Sequence, residues 1–201
     1  MSKKNLAGLV VFAILLVDQV VKIYIKTHFH LGEEVRVFDW FIIHFTENNG
    51  MAFGMELGGK AGKYFLSIFR IIAVSAIAYY LLKLAKQDDT PRGVIVGFAM
   101  IMAGAMGNIL DSMFYGLIFT ESYFDVAHFV PWGQGYAPFL QGRVVDMLWF
   151  PLIQGHYPDW LFGGKSFLFF SPVFNIADSA ITCGIIYMMI FQRQFFKEET
   201  K

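Results

Sequence analysis

The apolar residues of the chain fall into four long runs. A helix that crosses a bilayer needs about 20 mostly apolar residues, and each run is close to that length. They cover approximately residues 5–25, 64–82, 93–111 and 175–191. Two further apolar stretches, 147–153 and 161–170, are too short to span and are expected at the interface or in a loop. The pattern predicts a mainly α, polytopic membrane protein with four transmembrane helices in a single membrane-embedded domain, residues 1–201.

Basic residues near the ends of the runs predict the orientation. They are concentrated in the N-terminal segment, between the second and third runs, and after the fourth. Basic residues favour the cytoplasmic side, so both termini are expected there. Residues 27–63 and 112–174 then form two outer loops. The alternating, β-branched stretch 34–45 predicts a small extracytoplasmic β-rich lobe, and the second loop looks enlarged and folded.

Composition narrows the class of protein. Of the 201 residues, 56% are apolar and 16% are charged, against about 25% charged in a typical soluble domain. The formal net charge is zero, and this lack of a basic excess argues against nucleic-acid binding. The single cysteine, Cys183, cannot form an internal disulfide. The histidines lack metal-ligand spacing, so no metal or other cofactor is expected.

Acidic side chains in or beside the apolar runs are the most informative feature. An acid inside a spanning helix costs about 2.5–3.5 kcal/mol even on the mildest scale, so it usually has a function or a partner. Asp18, Asp111 and Asp178 lie at or within ends of the runs, and Asp146 lies between apolar residues. All four are predicted near the outer membrane face. They can therefore contribute to one site.

Helical spacing pairs several of these polar residues. Asp18 and Lys22 are four residues apart in the favourable order for an ion pair, which we interpret as structural. Gly104, Asn108 and Asp111 share one helix face, and a glycine there allows close approach of another helix. From the residues alone, this face is either part of a site or a hydrogen-bond clamp between helices.

Two carboxylates have contrasting surroundings. Asn175 is a good N-cap, and Asp178 three residues later completes a capping-box pattern in which the helix dipole favours an ionised acid. Asp146 has apolar neighbours, which should raise its pKa. Such contrast is typical of an acid/base pair, although capping alone could also explain Asp178. A proton-coupled transporter or a non-catalytic scaffold would use the same residues differently.

Five ordered motifs carry a resemblance to a known family. They are Asp18-Gln19 with Lys22, residues 48–54 (NNGMAFG), residues 104–111 (GAMGNILD), Val144-Val145-Asp146, and residues 174–180 (FNIADSA). The set resembles the motifs of the lipoprotein signal peptidases, the type II bacterial signal peptidases, which are intramembrane aspartic proteases. The resemblance covers nearly the whole chain. It favours an enzyme over a transporter, as do the acids gathered at one membrane face and the lack of a repeat.

The resemblance implies roles for individual residues. The family's catalytic dyad corresponds to Asp146 and Asp178, and its supporting polar residues correspond to Asn48, Gly50, Asn108, Asp111 and Asn175. The implied substrate is a diacylglyceryl-modified prolipoprotein, cut just before its lipidated cysteine by a water that the dyad activates. The resemblance also implies inhibition by the cyclic peptide globomycin. It implies contact with membrane lipids, a monomer, and a bacterial inner-membrane location with the site near the periplasmic face.

The chain departs from the family pattern in three places. Ser112 stands where the family has an arginine after its Asn-x-x-Asp motif, and Arg143 is one hypothetical substitute. The stretches between Asp111 and Asp146 and between Asp146 and Asp178 are longer than usual. We expect these insertions to enlarge the outer lobe and to alter how substrate enters.

Overall fold

A computed structural model describes residues 1–49, 59–156, 160, 162–169, 172–193 and 195. Five α-helices and six strands make up the fold of these residues. The helices are α1 (Lys3–His28), α2 (Gly59–Leu84), α3 (Arg92–Leu110), the short α4 (Gly116–Ile118) and α5 (Ile176–Phe191). The strands are β1 (Glu34–Phe38), β2 (Phe41–Asn48), β3 (Val144–Trp149), β4 (Ile153–His156), β5 (Ser166–Phe169) and β6 (Val173–Phe174).

Three helical stretches are long and apolar enough to cross a membrane, among the residues that the structure describes. They are Lys3–His28, Ala61–Leu84 and Arg92–Ile118. Helix α5 is also apolar but has 16 residues, which corresponds to about 24 Å. The prediction of a helical membrane protein is confirmed at this level. A fourth span and cytoplasmic termini stay predictions.

The third helical stretch runs further than its hydropathy indicates. After Leu110 the chain continues through a π-helical turn, Asp111–Tyr115, into α4, so the helix passes the predicted end at residue 111. Asp111 and Ser112 are both buried. Because Asp111 is paired inside the protein with Lys22, its charge does not mark the end of the helix.

Helix α3 lies against both α5 and α1, and small residues bring the three helices together. A Cβ atom on Gly104 would lie 2.2 Å from the carbonyl oxygen of Ala177 in α5. A Cβ on Gly107 would lie 2.6 Å from Oδ2 of Asp18 in α1. The expectation that Gly104 allows close helix approach is confirmed. The outward surfaces of α1 and α2 are apolar and exposed, for example at Phe12 and Phe65, as expected of surfaces that face lipid.

A four-stranded antiparallel sheet, with strand order β1-β2-β3-β6, lies at one end of the helices. Its first two strands cover the stretch 34–45, where the sequence predicted strand structure. Strand β3 uses part of the apolar run 147–153, and it carries Asp146 near its centre. Strand β6 leads directly to Asn175, the N-cap of α5. Strand β3 of the sheet therefore carries Asp146, and strand β6 leads into α5, which carries Asp178.

The contact at Gly104 predicts a stability loss. Gly104→Ala should destabilise the fold by about 1–3 kcal/mol, since a methyl group there overpacks the α3–α5 interface. Gly8→Ala is the matched control, because a Cβ atom on Gly8 would meet no other atom within 4 Å and alanine favours the helix. Thermal unfolding in detergent measures both. An unchanged melting temperature for Gly104→Ala would contradict this close packing.

Candidate active site

The structure brings Asp146 and Asp178 together through two amide side chains. Asn175 Nδ2 donates to Asp146 Oδ1 at 2.6 Å, and Asn108 Nδ2 donates to Asp178 Oδ1 at 2.7 Å. The amides are also bonded to each other, since Asn175 Nδ2 donates to Asn108 Oδ1 at 3.0 Å. The four side chains form one continuous hydrogen-bonded chain. Each comes from a position that the sequence singled out.

Asp178 has the cap geometry that its motif predicts. The Asp178 backbone N–H donates to Asn175 Oδ1 at 2.9 Å, and the Asn175 N–H donates to Asp178 Oδ2 at 3.4 Å. This is the complete capping box. The box uses Oδ2 of Asp178, whereas Oδ1 accepts from Asn108. Asp178 is half-buried, so capping and a role in a water-accessible site are compatible.

Asp146 is more deeply buried than Asp178. Its side chain is buried in the middle of β3, where Asn48 Nδ2 donates to Oδ2. Burial, followed by the negative charge of Asp178, raises the pKa of Asp146 to about 8. The apolar flanks of the strand predict this direction. A carboxyl group with a raised pKa thus lies near a second acid in the first turn of a helix.

A buried ion cluster contacts the amide chain at Asn108. Lys22 Nζ lies 3.1 Å from Asp18 Oδ2 and 2.8 Å from Asp111 Oδ2, and all three side chains have zero exposure. The Asp18–Lys22 ion pair is confirmed, and Asp111 extends it. Lys22 also donates to Asn108 Oδ1 at 2.9 Å. This contact fixes the orientation of the Asn108 amide and leaves its Nδ2 group to face Asp178.

Backbone N–H groups tie the two buried acids to other elements. Asp18 Oδ1 accepts from Ala177 N at 2.8 Å, in the first turn of α5. Asp111 Oδ2 accepts from Val145 N at 3.3 Å, next to Asp146 in β3. Gln19 donates to both acids, at 3.1 and 2.9 Å. The cluster therefore joins α1, α3, α5 and β3 at the point where the site is built.

Comparison with known proteins agrees with this arrangement. Residues 10–194 match the family model described as signal peptidase (SPase) II. The chain belongs to the signal peptidase II family. It is 48% identical over 189 residues to the lipoprotein signal peptidase of Porphyromonas gingivalis, covering 93% of this chain and 82% of that protein. It is 35% identical over 200 residues to the lipoprotein signal peptidase of Amoebophilus asiaticus, covering 96% and 80%.

A solved structure shares the fold. It is a bacterial membrane enzyme determined by the in meso method at 2.3 Å resolution, with a TM-score of 0.62 and 26% identity. The match covers 94% of this chain and 88% of that one. Together with the apolar helices, membership of the signal peptidase II family makes the chain a multi-pass protease of the bacterial inner membrane that acts in lipoprotein processing.

Two residues of the family motifs need separate comment. Gly50 lies outside the described residues. Ser112, where an arginine is usual in signal peptidase II, donates from Oγ to the Asn108 carbonyl at 3.0 Å, and its own carbonyl accepts from Gly142 N at 2.9 Å. Arg143, the hypothetical substitute, pairs with Glu47 and Glu121.

Arg70 of α2 is a basic residue inside the second apolar run. It lies within electrostatic range of Asp178, Asp146 and Asp111. Two buried residues of the same helix face make polar contacts with other segments. Ser67 Oγ donates to the Leu140 carbonyl at 3.1 Å. Lys63 Nζ donates to Oδ1 of Asn49, the residue after β2, at 3.0 Å. The spacing of positions 63, 67 and 70 is the helical signal that could have identified this polar face.

The Lys22 contacts predict a large stability effect. Lys22→Met leaves two buried carboxylates without their cation, and breaking a buried ion pair in this way costs about 3–5 kcal/mol. Arg36→Met is the control, since Arg36 pairs with Asp39 at 3.5 Å on an exposed surface where ion pairs contribute little. Melting temperatures in detergent separate the two variants. Equal small shifts would show that the buried cluster contributes no more than a surface pair.

Proposed function

We propose that the chain is an aspartic endopeptidase that cleaves diacylglyceryl-modified prolipoproteins just before the lipidated cysteine, with Asp146 and Asp178 as its catalytic dyad. The observation that carries the proposal is the hydrogen-bonded chain that links a buried carboxyl group to a half-buried one through Asn175 and Asn108. Family membership favours this function over a proton-coupled transporter.

In the proposed reaction, the two carboxyl groups share one proton. Asp178, in its ionised form, takes a proton from a water, and that water attacks the carbonyl carbon of the scissile peptide bond. Asp146, in its protonated form, donates to the carbonyl oxygen, which gives a tetrahedral gem-diol. Return of a proton to the amine then releases the signal peptide. Two carboxylates and a water suffice for these steps.

The amide side chains keep the dyad ready for this exchange. Asn48 and Asn175 each donate to a different oxygen of Asp146, so the carboxyl group is held on both sides. Asn108 donates to one oxygen of Asp178 and fixes the orientation of that carboxylate. Amides have no formal charge, so they orient the acids without adding a charge to the site. Preorganisation of this kind lowers the reorganisation needed in the transition state.

The depth of the site suits a membrane-embedded substrate. Asp18 lies ten residues before the end of α1 at His28, and Asn108 lies ten before Ile118. Both separations correspond to about 15 Å along a helix axis. The signal peptide is itself an apolar helix, so it would enter sideways from lipid with its cleavage point at this level. The basic residues near both chain ends favour a cytoplasmic location for the termini, which supports a site near the periplasmic face.

Removing either acid should abolish cleavage. Asp146→Asn and Asp178→Asn should each slow cleavage of a lipidated prolipoprotein by about a thousandfold, because one loses the proton donor and the other the base. A gel-shift assay with purified protein measures the product. Asp39→Asn, which removes an exposed acid from the β1–β2 turn, should cleave normally. Full cleavage by either dyad variant would disprove the proposed chemistry.

Activity should also fall at alkaline pH. Asp146 must carry a proton to act as the acid, and its raised pKa of about 8 means that this proton is present at neutral pH and lost as the pH rises through that value. The dependence of kcat/KM on pH reports this ionisation in the free enzyme. Circular dichroism across the same range excludes unfolding as the cause. A rate that stays constant well above pH 8 would contradict the assignment.

A further inference from the structure

Strands β2 and β3 have two different faces where they approach the dyad. In their register Thr46 pairs with Asp146, Glu47 with Val145 and Asn48 with Val144. Side chains alternate along a strand, so Glu47 and Val145 share the face opposite to that of Asp146. The Asp146 face carries the Asn48–Asp146 hydrogen bond. The opposite face packs against α1 and the long insertion that follows α4.

A second ion cluster occupies that rear face. We define the rear cluster as Lys26, Glu47, Glu121, Ser122 and Arg143. Glu47 is its centre, with 1% side-chain exposure: it pairs with the fully buried Lys26 and lies 3.1 Å from Arg143 Nη1. Arg143 also holds Glu121 with both of its terminal nitrogens. Ser122 Oγ accepts from Lys26 at 2.9 Å and donates to Glu47 at 3.0 Å.

Aromatic rings enclose the two cations of the rear cluster. The Arg143 guanidinium lies 4.9 Å from the ring centroid of Tyr136 and 4.7 Å from that of Tyr123. Lys26 Nζ lies 5.0 Å from the Tyr136 ring. The Tyr136 hydroxyl accepts from the Arg143 backbone N–H at 2.6 Å. The two positive charges of the rear cluster are balanced by the two negative charges of Glu47 and Glu121. Most of the groups around these charges come from the insertion.

The β2–β3 pairing needs this support because it is interrupted. The register shifts by one residue between Ile43 and Thr46, so the first two β2–β3 pairs do not set the alignment of the last three. Strand β2 ends at Asn48, immediately after Glu47. Thr46, Glu47 and Asn48 are all polar, and a strand segment that is polar on both faces has weakly specified register. A slip by one residue would move Asn48 to the face opposite Asp146.

We infer that the rear cluster is a positioning device for the dyad: it clamps Glu47 and Arg143 so that Asn48 stays bonded to Asp146. Glu121 and Ser122 come from the insertion between Asp111 and Asp146. The rear cluster therefore gives that insertion a function, and it explains why Arg143 pairs with Glu47 and Glu121. The inference rests on the proposed function of Asp146. It adds Glu121, Arg143 and Lys26 as positioning residues that act through Asn48.

A double-mutant cycle tests the inference. Glu121→Gln is the variant of choice, because Glu121 is partly exposed and its loss leaves Glu47 to neutralise the buried Lys26. Its kcat should fall about fivefold, with less than about a twofold change in KM. In an Asn48→Ala background, the same substitution should have almost no further effect on kcat. Asp39→Asn, which breaks an exposed ion pair on the same sheet, is the matched control and should retain wild-type kcat.

The outcomes separate the inference from the proposed function. If the wild-type chain does not cleave a lipidated prolipoprotein, the proposed function fails. If it cleaves, and Glu121→Gln keeps the wild-type kcat or its effect multiplies independently with that of Asn48→Ala, the positioning role is wrong. Arg143→Lys provides a second measurement, since lysine keeps the charge but cannot hold Glu121 in two-point contact. It should lower kcat in the wild-type background but not with Asn48→Ala.

Discussion

The fold depends on one buried lysine. Lys22 lies between Asp18 and Asp111 with no exposure to solvent or lipid, and unpaired charges at such a place would be very costly. The two acids also accept N–H groups from the start of α5 and from β3. The charges are therefore fully satisfied only when α1, α3, α5 and β3 are together. The requirement to neutralise a cation inside the protein assembles the scaffold of the site.

The same lysine influences the proposed dyad without contacting either acid directly. Lys22 donates to Asn108, and Asn108 in turn donates to Asp178. An ammonium in direct contact with Asp178 would stabilise the ionised carboxylate, which would oppose its proposed role as a base. A neutral amide between the two transmits orientation and keeps the charge at a distance. Asn175 provides the equivalent link to Asp146, so each carboxyl group is held by an amide that is itself held.

Sequence periodicity predicted the contacts that lie within one element, but it did not identify the partners that join different elements. The Asp18–Lys22 pair and the Asn175–Asp178 cap follow from helical spacing, and both are present. The partners of Arg143 could not be predicted, because they depend on where the insertion folds against the rear of the sheet. The end of the third helix was placed at Asp111 for the same reason: a lone acid resembles a terminus until its cation, far away in sequence, is known.

Helix α1 connects to both acids of the proposed dyad. Lys22 and Lys26 are one turn apart on the same face, about 6 Å along the axis, and both are completely buried. Lys22 leads through Asn108 to Asp178 on α5, whereas Lys26 leads through Glu47 to the strand pair that carries Asn48 and Asp146. The proposed sharing of a proton between Asp146 and Asp178 requires that their carboxyl groups keep a constant separation. Since each is anchored to the same rigid helix, movements of the sheet relative to α5 are resisted at both lysines.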